Sequence, residues 1–165
     1  MPILQQNSLE YISRSAEQTR RVGMRLGAQL HPGDLVCLNG ELGSGKTTLV
    51  QGIAAGWGSL DAVSSPTFVL VNVYRRPGEL HLYHLDAYRL NSTQEAEELD
   101  LDSLLERGPM VIEWAERIQA ALPPENLVIH LSYVNQEQRD LLVIAHGARP
   151  IELLGSFQRQ VYGAR

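Results

Sequence analysis

Residues 40–47, Gly40-Glu41-Leu42-Gly43-Ser44-Gly45-Lys46-Thr47, follow the pattern G-x-x-x-x-G-K-T directly behind an apolar run, Leu35-Val36-Cys37-Leu38. The order is strand, glycine-rich turn, helix. Such a turn aims successive backbone N–H groups at phosphate oxygens, and the start of the following helix adds the positive end of its dipole. The Lys46 ammonium would reach the β- and γ-phosphates, and the Thr47 hydroxyl would ligate Mg²⁺. Gly43, Ser44, Gly45, Lys46, Thr47 and Thr48 are therefore the candidate phosphate-binding residues. A plain glycine turn with a solvated lysine is the competing reading, and the strand before and helix after the motif weigh against it. The motif predicts a site for a nucleoside triphosphate.

With 165 residues the chain is long enough for one domain spanning 1–165 and one core, and too short for a motor or a two-domain transporter. The formal charge of −5 argues against a dedicated nucleic-acid binder, whose surface should be basic, but leaves room for a role on RNA through a partner. Cys37, the single cysteine, lies in the apolar run and reads as a small core residue, so no disulfide framework is expected. No stretch resembles a signal peptide or a membrane span, and a cytoplasmic setting is expected.

Along the chain, Leu9 to Ile12 reads as a short edge strand. Ser15 with Gln18 three residues on reads as a helix cap, and the helix should run to about Leu30. His31-Pro32-Gly33-Asp34 turns into the strand that feeds the loop, and Thr48 to Trp57 is the helix after it. Phe68 to Tyr74 and Leu80 to Leu85 form a hairpin about Arg76-Pro77-Gly78-Glu79. Thr93 to Leu105 reads as an acidic helix and Met110-Val111-Ile112 as a short buried strand. Leu127–Tyr133 and Leu141–Ala145 pair across Asn135-Gln136, and a short helix closes the chain. The sum is an α/β sandwich of the phosphate-loop type with a mixed, partly parallel central sheet.

Binding alone needs only the loop, whereas hydrolysis needs acids near the γ-phosphate and its metal. In such folds an acid sits at the carboxyl end of a second buried strand beside the loop. Glu113, after Met110-Val111-Ile112, has that position and could hold Mg²⁺ or polarise the attacking water. In His81-Leu82-Tyr83-His84-Leu85-Asp86, alternation places His84 and Asp86 on one strand face. They read either as the solvated edge of a hairpin or, for Asp86, as a second acid near the metal. The spacing of His81, His84 and Asp86 suits no common zinc site. Ser64-Ser65-Pro66-Thr67-Phe68 lies where phosphate-loop proteins carry a segment that senses the γ-phosphate, with Thr67 offering a hydroxyl.

These pieces, in this order, resemble the TsaE (YjeE) family. The matching stretches are Gly40 to Thr48, Ser65-Pro66-Thr67-Phe68, His84-Leu85-Asp86-Ala87-Tyr88-Arg89-Leu90 and Ile112-Glu113-Trp114. The resemblance implies a small α/β ATPase that uses ATP and Mg²⁺, binds a TsaB–TsaD heterodimer and hydrolyses ATP to sustain its cycle. That pair attaches threonylcarbamoyl to adenosine 37 of tRNAs reading codons that begin with A, so tRNA is met indirectly and no membrane is involved. By resemblance Thr47 and Glu113 hold Mg²⁺, Asp86 is needed for activity, and Thr67 belongs to a switch; with the loop lysine, the candidate catalytic residues are Lys46, Asp86 and Glu113. The adenine is expected near the start of the first helix, around Ser15 to Thr19. One departure is Asp100, where the family often has glycine, which puts the local turn in question.

A small-molecule kinase and a nucleotide-gated scaffold share the phosphate loop. A kinase usually closes an arginine-rich lid, and Arg117 and Arg139 stand alone after Glu113. A GTPase is disfavoured because the chain has no N-K-x-D stretch.

Overall fold

A computed structural model describes residues 7–64 and 71–162. Strand β2 (Leu35–Asn39) is apolar until its last residue, and the sheet buries it at the centre. A parallel strand covered by helices on both faces needs such an unbroken apolar run. The seven-stranded sheet has the order β1-β7-β6-β2-β5-β4-β3. Its four central strands, β6 (Asn126–Tyr133), β2, β5 (Met110–Glu113) and β4 (Leu80–Asp86), run parallel. Antiparallel strands flank them: β3 (Val71–Arg76) on β4, β7 (Arg139–His146) on β6, and β1 (Ser8–Ser13) at the far edge on β7. The mixed α/β sandwich read from the sequence is the one observed.

Helices α1 (Ala16–Gly27), α2 (Lys46–Trp57) and α5 (Ala148–Tyr162) cover one face. Val22, Leu26, Leu49, Ile53, Leu153 and Phe157 pack there on Val36, Leu38, Val111 and Ile129. Helices α3 (Thr93–Glu97) and α4 (Leu101–Arg107) cover the other, with the 3₁₀ segment Ala115–Ala121. Their apolar residues close over Leu35, Cys37, Leu85 and Ile112. Cys37 is a buried core residue, and burial pushes its thiol up to about 12.

Four glycines set the spacing of α1 and α2. A β-carbon at Gly27 would stand 2.0 Å from the carbonyl oxygen of Ile53, and one at Gly56 1.9 Å from that of Met24. Gly23 and Gly52 face Leu49 and Arg20 in the same way. Any side chain there would force the helices apart, so their backbones meet directly. This contact holds the start of α1 beside the loop that opens α2.

Three elements differ from the sequence expectation. Helix α1 stops at Gly27 rather than near Leu30. The acidic stretch is two helices, because Asp100 adopts φ +52 between them; aspartate tolerates this left-handed conformation better than most residues, and Ser103 Oγ donates to its carboxylate at 2.7 Å. Position 100 thus makes a left-handed turn with a non-glycine residue. The closing helix is fifteen residues long rather than short. Its Pro150 sits in the first turn, where an N–H has no helical acceptor to lose.

Candidate active site

The carboxyl ends of three neighbouring parallel strands meet at one cleft. Strand β2 ends at Asn39 and releases the loop Gly40–Gly45, β5 ends at Glu113 and β4 at Asp86. The pairing sets Glu113 opposite Leu38 on one side and opposite Asp86 on the other. Ligands of open α/β sheets bind at such ends. The cleft, about 370 Å³, is lined by Leu42 to Thr48 together with Asp86, Glu113, Trp114 and Arg139. Larger hollows nearby, about 540 and 720 Å³, touch neither Asp86 nor Glu113, so size does not locate the chemistry.

In the loop, Gly43 and Gly45 take φ +80 and +102, which the turn into α2 requires and side chains rarely adopt. Lys46 opens α2, with Thr47 exposed and Thr48 half-buried in the same first turn. The Lys46 ammonium is buried and donates to the carbonyls of Gly40 and Glu41. Burial lowers its pKa, against the pull of Glu113, Glu116 and Asp86. Ser44 Oγ and Arg139 Nε are buried without a hydrogen-bond partner among the described residues. Donors held idle around a positive-φ loop at a helix start fit a polyphosphate. The hydroxyl of Thr47 and the carboxylates of Glu113 and Asp86 form the oxygen donor set that suits Mg²⁺.

The two acids have different surroundings. Glu113 is buried, and its Oε2 lies 2.6 Å from Nε2 of His84. Asp86 is half-buried and accepts the Tyr88 N–H at 2.9 Å. Burial raises the pKa of Asp86, and Glu113 adds to the shift, while Tyr88, His84 and Lys46 work against it. His84 is 1% exposed, so the solvated-edge reading of this strand fails for it: β3 is the edge, and β4 lies one strand in.

Trp114 follows Glu113 in a left-handed conformation, φ +57, that costs a non-glycine residue about 1–2 kcal/mol. The turn folds its ring back over the site, 4.2 Å from the Lys46 ammonium and 5.1 Å from the ring of Tyr88. Sequence reasoning had no signal for the contact with Lys46, because it depends on that one backbone angle.

Ser15 caps α1, accepting the Gln18 N–H at 3.0 Å. Thr19 is buried with its hydroxyl 2.6 Å from that of Ser13. It lines a narrow cleft of about 40 Å³ with Ala16, Gly45, Thr48, Gln136, Glu137 and Arg139. The structure thus brings Thr19 to the loop, while Ser15 lies outside that lining. Arg139, read as isolated in the sequence, lines both clefts and lays its guanidinium 4.8 Å over the Tyr133 ring. Arg117 lies 4.9 Å over Tyr88. Thr67 and the rest of Ser65-Pro66-Thr67-Phe68 lie outside the described residues.

Comparison with known proteins agrees on one family. The sequence model described as Threonylcarbamoyl adenosine biosynthesis protein TsaE matches residues 13–141. A protein of Bacillus subtilis named tRNA threonylcarbamoyladenosine biosynthesis protein TsaE is 37% identical over 142 residues, 86% of this chain and 88% of that one. A Treponema pallidum protein of the same name is 39% identical over 133 residues, 80% of this chain and 97% of that one. The crystal structure of Bacillus subtilis YdiB superposes with a TM-score of 0.77 at 31% identity, covering 93% of this chain and 96% of that one. No helix among the described residues is long and apolar enough to cross a membrane.

Proposed function

This chain belongs to the TsaE family, and on that premise we propose that it binds Mg-ATP on the Gly40–Thr48 loop and hydrolyses it in support of a TsaB–TsaD heterodimer during threonylcarbamoylation of tRNA adenosine 37. The observation that carries the ATPase reading is the register of β4 on β5, which sets Asp86 beside Glu113 and both beside the loop lysine. Two carboxylates and an ammonium around one cleft can hold a metal, orient a water and neutralise phosphate charge. Bound Mg²⁺ would polarise the γ-phosphate.

Each residue then has a task. The N–H groups of Gly43 to Thr48 hold the phosphates, and Lys46 leaves the Gly40 and Glu41 carbonyls to donate to them. Thr47 and Glu113 would hold Mg²⁺ through their side-chain oxygens. Asp86, beside Glu113, would orient the attacking water. Thr19 and Arg139 line the narrow cleft where the loop meets α1, and the nucleoside is assigned to that end of the site. Thr67 is assigned to the γ-phosphate-sensing segment on sequence resemblance alone. The acidic net charge fits a subunit that meets tRNA through its partners in the cytoplasm rather than directly.

The test is phosphate release from ATP, measured with and without TsaB–TsaD, beside tRNA threonylcarbamoylation with this subunit omitted. Release that rises with the pair, and modification that stops without this subunit, support the reading. A phosphorylated small acceptor in place of free phosphate would instead make it a kinase.

A further inference from the structure

Behind Glu113 a line of buried polar groups runs across three strands. Nε2 of His84 in β4 lies 2.6 Å from Glu113 Oε2, and its Nδ1 lies 2.8 Å from the hydroxyl of Tyr74 in β3. That hydroxyl reaches the backbone of Ser64, 3.1 Å from its carbonyl oxygen and 3.4 Å from its nitrogen. The Ser64 carbonyl also accepts from Asn72 Nδ2 at 2.8 Å. An ionised Glu113 can only accept, so Nε2 carries a proton. With a neutral imidazole, the Tyr74 hydroxyl gives its one proton to Nδ1 rather than to the Ser64 carbonyl and accepts from the Ser64 N–H, and Asn72 alone serves that carbonyl. Every group in the line is then satisfied, as buried polar groups require. Burial raises the Tyr74 pKa, which keeps the phenol a donor.

The arrangement asks for more than packing. His84 is 1% and Tyr74 3% exposed, in a sheet whose other core positions are mostly aliphatic. An apolar pair in place of His84 and Tyr74 would fill the same space without desolvating two polar side chains. What the polar line supplies is direction. A buried carboxylate held from behind by one imidazole keeps its remaining lone pairs turned to the cleft, and the imidazole is held in one tautomer by the phenol. Outer partners of metal-ligating groups act in this way.

We infer that His84 and Tyr74 are positioning residues that fix the Glu113 carboxylate for ATP hydrolysis and tie its orientation to the backbone at Ser64. The inference rests on the ATPase reading above. Neither residue lines the cleft, so their loss should lower kcat and leave the KM for ATP nearly unchanged.

The experiment uses the full chain with TsaB–TsaD and three variants. Tyr74→Phe keeps the ring and removes the hydroxyl; we expect kcat to fall about tenfold, KM to stay within about threefold and thermal unfolding to stay cooperative. His84→Phe should lose about a hundredfold in kcat, and His84→Gln, whose amide can stand in for Nε2–H, should recover most of it. In the free protein, the ¹⁵N resonances of His84 should show Nε2 protonated, with Nδ1 shifting in Tyr74→Phe. A folded Tyr74→Phe turning over at the parent rate, a His84→Gln no better than His84→Phe, or an Nδ1 signal blind to the Tyr74 hydroxyl would overturn the relay while the parent still hydrolyses ATP. A parent that hydrolyses no ATP with or without TsaB–TsaD would overturn the functional reading, and the relay with it.

Discussion

The ammonium of Lys46 stands 4.2 Å from the centroid of the Trp114 ring, so the residue expected to hold phosphate and the residue after the expected metal ligand are in contact. A cation on an indole face is worth about 0.5–2 kcal/mol. A nucleotide that draws Lys46 toward its phosphates must alter this pair. In a Trp57→Phe variant, leaving Trp114 as the single tryptophan, emission should change saturably with Mg-ATP and less with ADP. Trp57 lies at the far end of α2, with Arg76 4.5 Å over its ring, and should report little. A flat Trp114 signal, in a protein shown by calorimetry to bind ATP, would separate the ring from the phosphate site.

Lys46→Ala should abolish tight ATP binding, and Thr47→Ala should remove its Mg²⁺ dependence. Each charge-assisted hydrogen bond to phosphate is worth about 1.5–3 kcal/mol, a tenfold to hundredfold change in affinity. Calorimetry with and without Mg²⁺ reads both effects. Undiminished affinity in Lys46→Ala would remove the loop from the binding site.

Replacing Glu113 with alanine should spare nucleotide binding and lower turnover by on the order of a hundredfold or more. The change also strands His84, whose Nε2 loses its acceptor, so the variant should melt lower than the parent. Parallel rate and melting measurements separate the two losses. Parent-rate hydrolysis in the complete complex would make Glu113 a bystander.

Asp86 should limit stability while serving activity. Burial raises its pKa in the folded chain, so its proton is held more tightly there than in the unfolded chain. Its stabilising share is complete below the ordinary aspartate value of about 3.9 and is lost as pH rises through the raised folded value. Asp86→Asn keeps an oxygen for the Tyr88 N–H and removes the charge. Without nucleotide or metal it should melt above the parent at pH 7, the gain shrinking toward pH 3, and it should hydrolyse ATP more slowly. A melting difference that ignores pH would contradict the assignment.

At Asp100 the left-handed backbone predicts opposite signs for two small changes. Asp100→Gly should be neutral or slightly stabilising, and Asp100→Val should cost about 1–2 kcal/mol, read by denaturant unfolding. Equal effects would mean that the angle is not the constraint.

What the sequence made legible was carried by short-range patterns. An apolar run, a spaced set of glycines and a carboxylate ending a second apolar run suffice to place β2, the loop and β5 in one sheet. Alternation put His84 and Asp86 on a common face without showing which strand lay outside them. The burial of His84 follows from β3 taking the edge, and its bond to Glu113 joins residues 29 apart through strand pairing. Trp114 over Lys46 depends on a single positive φ angle. Asp100 is the converse case: the sequence flagged it as out of pattern, and the backbone shows a left-handed turn there.

The glycine contact between α1 and α2 has a mechanical consequence. Where side chains separate two helices, rotamer changes can absorb a shift of one against the other; here carbonyl meets α-carbon, and there is nothing to compress. Lys46 at the head of α2 and Thr19 in α1 therefore sit on two helices that cannot close further on one another. Arg25 of α1 donates to the Gln160 carbonyl at 2.8 Å, which ties that pair to the end of α5. The helix that opens at the phosphate loop thus has its place against α1 fixed by backbone contact rather than by side-chain packing.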